Sequence, residues 1–210
     1  MRQPSRPRWR RRKEARPDEI LAAALASFAE RGFAATRLDD VAARAGISKG
    51  TLYLYFKSKE ELFEAVVRAT LVPNLERLEA LSATFEGPSA QLLERLLLTI
   101  AGVVDSQIGA IPKLVIAEAG NFPELARFYL DAVVRRGLRL IGAILRRGIG
   151  RGEFRPIDVD YVVFCVIAPM LIAALWKRSL EPHDAAPLDA QALARAHLDL
   201  LLRGLEAHGQ

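Results

Sequence analysis

Residues 36–62, TRLDDVAARAGISKGTLYLYFKSKEEL, most constrain what this chain can fold into, because helix-start and helix-stop signals follow one another there at short intervals. Thr36, followed three residues later by Asp39, predicts the cap and first turn of one short helix. Gly46 predicts its end, since glycine adopts the left-handed conformation that often follows a helix. Ser48 predicts the cap of the next helix. Two short helices joined by a turn of about three to four residues indicate a helix-turn-helix.

The second of these helices, from about Lys49 to Phe56, has the residue pattern of a helix that lies in a DNA major groove. Leu52 and Phe56 are four residues apart and are expected to face the core. The outward positions then hold a lysine, a glycine, a threonine and two tyrosines, which can contact base edges or phosphates. The alternative is a small helical hairpin whose tyrosines are half-buried packing residues.

A third helix is predicted to begin at Lys59, because Ser58 and Glu61 form a capping box. Its N-terminal amides and the positive end of its dipole suit a phosphate. An earlier helix also agrees with a DNA-binding head: its apolar residues recur at helical spacing, and Gly32 is expected to end it before Phe33.

The run AARAGISKGTLYLYFKSKEELF resembles the DNA-binding signature of the tetracycline-repressor (TetR) family of bacterial transcription regulators. The resemblance covers about residues 17–63. It departs from the family at Leu54, where a polar or aromatic residue is often found. The resemblance implies DNA contacts from Thr36, Arg37, Ser48, Lys49, Gly50, Thr51, Tyr53, Leu54, Tyr55 and Lys59.

Charge is concentrated in the N-terminal part of the chain. Residues 1–62 hold 14 Lys and Arg against 8 Asp and Glu, whereas residues 63–210 hold 16 against 17. A basic head on a nearly neutral body suits a phosphate-binding module.

Residues 1–16 contain eight basic residues and one acid, so we expect a disordered arm. The arm either follows the DNA backbone or minor groove, or is a solvated tail that raises affinity non-specifically.

Composition predicts an all-α fold, because the chain is 51% hydrophobic but only 7% aromatic, with much Leu and Ala and no alternating strand segments. We expect an N-terminal three-helix head at 1–62 and a C-terminal helical bundle for ligand binding and dimerisation at 63–210.

Pro73 either kinks the first body helix or ends it early, leaving 74–85 as a separate turn. The predicted body helices span 59–85, 92–108, 112–119, 121–150, 158–180 and 189–207, which gives about nine helices, the number that the resemblance implies.

The last two helices carry more apolar surface than one small body needs for its own core, which indicates a four-helix interface between two copies. Dimerisation through these helices is also what the resemblance implies. The alternative is that both helices fill the core of a monomer. The predicted interface residues are Phe164, Ala168, Leu171, Ala174, Leu175, Leu193, Ala196, Leu200, Leu201 and Gly204.

A largely apolar ligand pocket in the body is an expectation from the resemblance, because pocket and core residues have the same periodicity. Core packing is the competing interpretation for each residue. The candidate apolar lining consists of Leu97, Ile100, Val104, Ile116, Phe122, Phe128, Tyr129, Val133, Phe164 and Met170. The candidate polar contacts are Gln107, Glu118 and Asn121.

The only cysteine, Cys165, excludes an internal disulfide and fits a reducing compartment. It is expected to be a buried, inert thiol rather than a redox sensor. Its apolar segment, 161–176, is sixteen residues long and contains Pro169, so we expect an interface helix rather than a membrane span of ~20 residues. A membrane-tethered sensor is the alternative.

An enzyme is not expected. His183, His197 and His208 lack the spacing of metal ligands, and no glycine-rich phosphate loop or nucleophile elbow is present. The sequence therefore predicts a cytoplasmic homodimeric regulator, without cofactor or metal, whose partners are double-stranded DNA and a small-molecule effector. Most proteins that it resembles repress by occupying a near-palindromic operator. A ligand-independent architectural DNA-binding dimer is the alternative.

Overall fold

The computed structural model describes residues 17–206, and this part of the chain is all-helical. It contains no strand; Phe154 and Glu206 form an isolated antiparallel bridge. The predicted arm at 1–16 lies outside the described residues. The α-helical segments are α1 Pro17–Ala35, α2 Leu38–Arg44, α3 Lys49–Tyr55, α4 Lys59–Thr70, α5 Val72–Thr84, α6 Ser89–Asp105, α7 Ile111–Glu118, α8 Pro123–Tyr129, α9 Arg135–Gly150, α10 Val159–Ser179 and α11 Ala190–Leu205.

Two pairs of segments continue through a short interruption, so this part of the chain has nine helices. Leu71 separates α4 from α5, and a π-helical turn, Leu130–Val134, joins α8 to α9. The long helix predicted at 121–150 therefore begins at Pro123 and runs to Gly150. The all-α prediction and the number of helices are confirmed.

Local capping signals explain most helix boundaries of the head. Gly32 has φ 80° and ψ 169°, which interrupts α1 before Phe33 as predicted. Gly46 has φ 69° and follows α2, so the second predicted glycine stop is also correct. Ser58 Oγ accepts the amide hydrogen of Glu61 at 3.1 Å and caps α4.

The helix predicted at 59–85 is present, but it is interrupted at Leu71 rather than kinked at Pro73. α4 ends at Thr70, and Pro73 lies in the first turn of α5, where a missing amide hydrogen costs no helical bond. The alternative of a separate turn at 74–85 is wrong too, because α5 is helical up to Thr84. The break is confined to one residue, since the Leu71 amide still bonds to the Val67 carbonyl.

Asp158 and Asp189 cap the last two helices through their side-chain carboxylates, close to the predicted starts. α10 has buried positions such as Val166 and Met170 and a second, exposed face. Cys165 lies on the exposed face. The expectation of a buried thiol is therefore wrong, because α10 is covered on one side only.

Apolar side chains form two cores. The first joins α1, α2, α3 and α4 to buried residues of the body helices α7 and α8. The second is built mainly from α6, α9, α10 and α11. The head thus packs directly on α7 and α8, and its covalent connection through α4 is only one of its contacts with the body. The body residues of the first core are Ile111, Leu114, Val115 and Leu125.

Candidate DNA-binding site

The outer face of α3 is the candidate DNA-reading surface. Leu52 and Phe56 are buried and anchor the helix to the head, as predicted from their spacing. Ser48 Oγ accepts the Thr51 amide hydrogen at 3.1 Å, which fixes the N-terminus of the helix. The face that remains exposed includes Tyr53 and Leu54, the latter 85% exposed. Together with the exposed Tyr55 they form a group of large apolar and aromatic side chains in solvent, which is a candidate contact with a partner.

Lys49 provides the positive charge at the start of α3. Its Nζ lies 2.9 Å from Asp39 Oδ2 on α2 and 5.7 Å from the centre of the Tyr53 ring. The hydrogen bond with Asp39 raises the pKa of Lys49, which favours the charged form of the side chain. A DNA phosphate or guanine edge could replace Asp39 as the partner of this lysine.

Gly50 is exposed, and its lack of a side chain is not required by the fold. A Cβ atom built there would meet only Ser48 Oγ, at an ordinary contact distance of 3.9 Å. The open backbone therefore permits a close approach by another molecule, which is the role expected of this glycine.

Thr36 does not have the predicted role. Arg37 is the N-cap of α2 and makes no side-chain cap, whereas Thr36 is only 2% exposed. Thr36 Oγ1 lies 2.7 Å from the Gly32 carbonyl oxygen and 3.2 Å from that of Ser27, so its hydroxyl donates inward. This side chain stabilises the bend at Gly32 and presents almost no surface to DNA. Arg37 is exposed.

Lys59 also points inward rather than towards a phosphate. Its Nζ donates to the Ala34 carbonyl oxygen at 2.9 Å and lies 4.6 Å from the centre of the Phe33 ring. Burial lowers the pKa of Lys59. At the same helix start, Glu61 Oε2 accepts the Lys57 amide hydrogen at 2.7 Å rather than that of Ser58, so only the Ser58 half of the predicted capping box forms in place.

The apolar residues predicted to line a pocket do not meet in one place. Leu97, Val104 and Met170 are buried in the second core, and Ile100 packs against it. Others pack against the first core, and two are exposed. The prediction did not separate these groups, because apolar periodicity does not reveal which core a helix face joins. The first-core group is Phe122, Phe128, Tyr129 and Val133, and the exposed pair is Ile116 and Phe164.

The polar candidates are separated as well. Gln107 and Asn121 are exposed. Glu118 Oε1 accepts the amide hydrogen of Ala34 in the head at 3.0 Å, and Asn121 Nδ2 lies 3.4 Å from Glu118 Oε2. No sequence signal indicates that Glu118 reaches a residue 84 positions earlier. Burial raises the pKa of Tyr129, another of the pocket candidates.

Most residues of the predicted dimer interface lie at the surface of α10 and α11. Phe164 is 57% and Leu200 70% exposed. Ala174 is buried and belongs to the second core instead. The remaining predicted residues that are exposed are Ala168, Leu171, Ala196 and Gly204, and those that are half-buried are Leu175, Leu193 and Leu201. Sequence reasoning missed Tyr161, Ile172 and Trp176, which are also exposed on α10.

By length and composition α10 could cross a membrane: it has 21 residues, with a mean hydropathy of 2.2 over its most apolar stretch. The expectation that this segment is too short is thus wrong for the folded helix. One such helix is weak support for a membrane protein, since apolar core and interface helices have the same composition.

Within residues 17–206, no three His, Cys, Asp or Glu side chains are grouped as a metal site requires.

A helix-turn-helix with an exposed basic and aromatic reading helix, carried on a helical body, defines a DNA-binding regulator. Two family profiles match the chain: "Bacterial regulatory proteins, tetR family" over residues 20–66 and "Tetracyclin repressor-like, C-terminal domain" over residues 86–193. The chain belongs to the TetR family of transcriptional regulators.

Known relatives resemble the chain over nearly its whole length. The transcriptional repressor KstR2 of Mycobacterium tuberculosis is 32% identical over 202 residues, which cover 92% of this chain and 94% of the repressor. A solved structure of this ketosteroid regulator aligns with a TM-score of 0.70 at 28% identity, covering 91% of this chain and 95% of that one. FadR of Bacillus subtilis in complex with stearoyl-CoA has the same fold, with a TM-score of 0.71 at 21% identity, covering 91% and 100%.

Proposed function

We propose that the chain is a homodimeric repressor that binds a near-palindromic operator and leaves it when a small, largely apolar molecule binds the body. The exposed face of α3 carries this proposal. Its apolar and aromatic side chains are left outside the head core, and Lys49 adds a positive charge beside them. A head of this size needs a second half-site for tight binding, which a dimer supplies.

Repression and an apolar effector are supported by the relatives. KstR2 is a repressor, and the structure of B. subtilis FadR holds stearoyl-CoA. The body of this chain is built from aliphatic residues on α6, α9 and α10, which suit an acyl chain or a steroid ring system. We infer an effector of this apolar class, with a CoA thioester as the first compound type to test.

Dimerisation is supported by the uncovered apolar face of α10 and α11. Phe164, Ile172 and Leu200 are all more than half exposed in the single chain. Large exposed apolar side chains on two helices that contact each other favour association with a second copy through the same face. An α10 covered in this way is an interface helix rather than a membrane span, which supports a cytoplasmic regulator.

The proposal is tested by nuclease footprinting on the DNA upstream of the gene and on random DNA of equal length. We expect one protected, near-palindromic site upstream. Protection spread evenly over both DNAs would instead support the architectural dimer. Adding long-chain acyl-CoA thioesters, and separately steroid-CoA thioesters, should remove the protection; persistence with every compound would reject this effector class.

Tyr53→Ala should weaken operator binding by about 1 to 3 kcal/mol, the usual worth of a base or adjacent contact. The thermal transition should stay close to that of the parent protein, because Tyr53 is exposed. Tyr53→Phe separates loss of the hydroxyl from loss of the ring. Leu180→Ala removes an exposed apolar side chain beyond the end of α10 and is the matched control. Parent-like affinity of Tyr53→Ala in a mobility-shift titration would exclude this residue from the DNA surface.

A further inference from the structure

The main chain of Ala34 is bound from two sides at the junction of head and body. Its amide donates to Glu118 Oε1 at 3.0 Å, and its carbonyl oxygen accepts from Lys59 Nζ at 2.9 Å. Ala34 follows the bend at Gly32 and closes α1. Three elements that are distant in sequence, the end of α1, the start of α4 and the end of α7, therefore meet at one residue.

Aromatic rings surround this contact. Phe33 is fully buried, and its ring centre lies 4.8 Å from that of Phe122 in an edge-on arrangement. Lys59 Nζ lies 4.6 Å from the Phe33 centre and 5.8 Å from the Phe122 centre. Partial removal from water strengthens the electrostatic interactions of the lysine with the rings and the carbonyl.

The contact joins the proposed DNA-binding head to two helices of the body. Lys59 is the first residue of α4, which directly follows α3 in the chain. Glu118 is the last residue of α7, and Phe122 is the N-cap of α8, and both helices belong to the body. Any displacement of α7 or α8 acts on the end of α1 through Glu118 and Phe122.

From this geometry we propose that Lys59 and Glu118 are positioning residues that fix the angle of the DNA-reading head on the body by holding Ala34 between them. The inference rests on the proposed function and adds the contact that couples body to head. In a dimer the head angle sets the distance between the two reading helices, and hence the half-site spacing that the protein accepts. Lys59 thus affects DNA binding without touching DNA.

The preference of the protein for one half-site spacing is the quantity to measure, because it distinguishes a role in positioning the head from a general effect on folding. The full-length protein is titrated with its footprinted operator and with versions that carry one base pair more or fewer at the centre. Glu118→Ala and Lys59→Met should each reduce the preference for the natural spacing about tenfold, corresponding to the loss of one charged hydrogen bond. Glu118→Gln and Lys59→Arg retain an acceptor and a donor, and should keep most of the preference.

Glu124→Ala is the matched control, because Glu124 is exposed on α8 and, within residues 17–206, forms an ion pair only with the neighbouring Arg127. An unchanged spacing preference in both Glu118→Ala and Lys59→Met would overturn the proposal. The proposal would also be overturned if Lys59→Met kept its spacing preference and the salt dependence of its DNA binding were shallower by about one ion. That result would assign Lys59 to a phosphate contact.

Hydrogen exchange without DNA tests the contact independently of the proposed function. Peptides that contain Ala34 should exchange faster in Glu118→Ala than in the parent protein, whereas Glu124→Ala should leave them unchanged. Parent-like protection in Glu118→Ala would reject the contact whatever the protein binds. Failure of the parent protein to protect any discrete operator would reject the proposed function instead, with the exchange result unaffected.

Discussion

At Gly32 the backbone has φ 80° and ψ 169°, a region that is essentially restricted to glycine. The nearest atom to a Cβ built there is Glu118 Oε1, at 4.0 Å, so space is available for a methyl group. The cost of a side chain at this position is therefore conformational. The bend also places Phe33 in the core and Ala34 against the body.

Gly32→Ala should lower the free energy of unfolding by about 1 to 3 kcal/mol, the usual cost of holding a non-glycine residue in such a conformation. Gly137→Ala is the control, because Gly137 lies within α9 and a Cβ there meets nothing within 4 Å. It should stabilise by about 0.5 to 1 kcal/mol through helix propensity. Urea denaturation of both variants checks the prediction, and equal midpoints would contradict it.

Among the elements, α6 depends on a distant residue for its N-terminal cap. Pro88 precedes the helix and offers no side-chain cap, but Glu153 Oε2 accepts the Ser89 amide hydrogen at 2.6 Å. Burial raises the pKa of Glu153, but the hydrogen bonds from Ser89 and the charges of Arg151 and Arg147 outweigh it, so the pKa lies below its ordinary value. A carboxylate beside a helix N-terminus also interacts favourably with the helix dipole.

Glu153→Gln should therefore destabilise the protein at neutral pH, and the difference from the parent protein should shrink in acid. Because the pKa is lowered in the folded state, the stabilisation is complete above the pKa of the unfolded chain and is lost as the pH falls through the folded value. Urea denaturation at a series of pH values from neutral down through the carboxyl range measures this. A difference that is constant over that range would show that the carboxylate charge is unimportant.

At the scale of the whole molecule, a single chain does not explain why the apolar side chains on the outer face of α10 and α11 are exposed. Leu200→Asp should convert the proposed dimer to monomers, because each copy would bury an unpaired carboxylate in the interface. Leu200 is 70% exposed in the single chain, so the monomer should stay folded. Leu130→Asp, an exposed leucine between α8 and α9, is the control. Sedimentation velocity at several concentrations measures the oligomeric state of both variants. An intact Leu200→Asp dimer would place the interface elsewhere.

The head illustrates what the amino-acid sequence by itself determined. Ser48 and Ser58 cap the predicted helices, and Gly46 follows α2 with the predicted positive φ. These signals act within one turn of the chain, so they need no knowledge of the rest of the fold. The exposed face of α3 follows from the same local periodicity, once Leu52 and Phe56 are assigned to the core.

Only the tertiary structure decided the roles that depend on neighbours distant in sequence. Lys59 has the residue type of a phosphate contact, but the packing of α4 against α1 turns it towards the Ala34 carbonyl. Thr36 has the residue type of a cap, but its hydroxyl donates back to the carbonyls of Ser27 and Gly32 in α1. Glu118 was a ligand candidate and instead reaches Ala34, because α7 belongs to the head core. Cys165 has apolar neighbours in sequence yet lies on an uncovered helix face. Periodicity identifies an apolar helix face, whereas the packing of the helices determines what covers it.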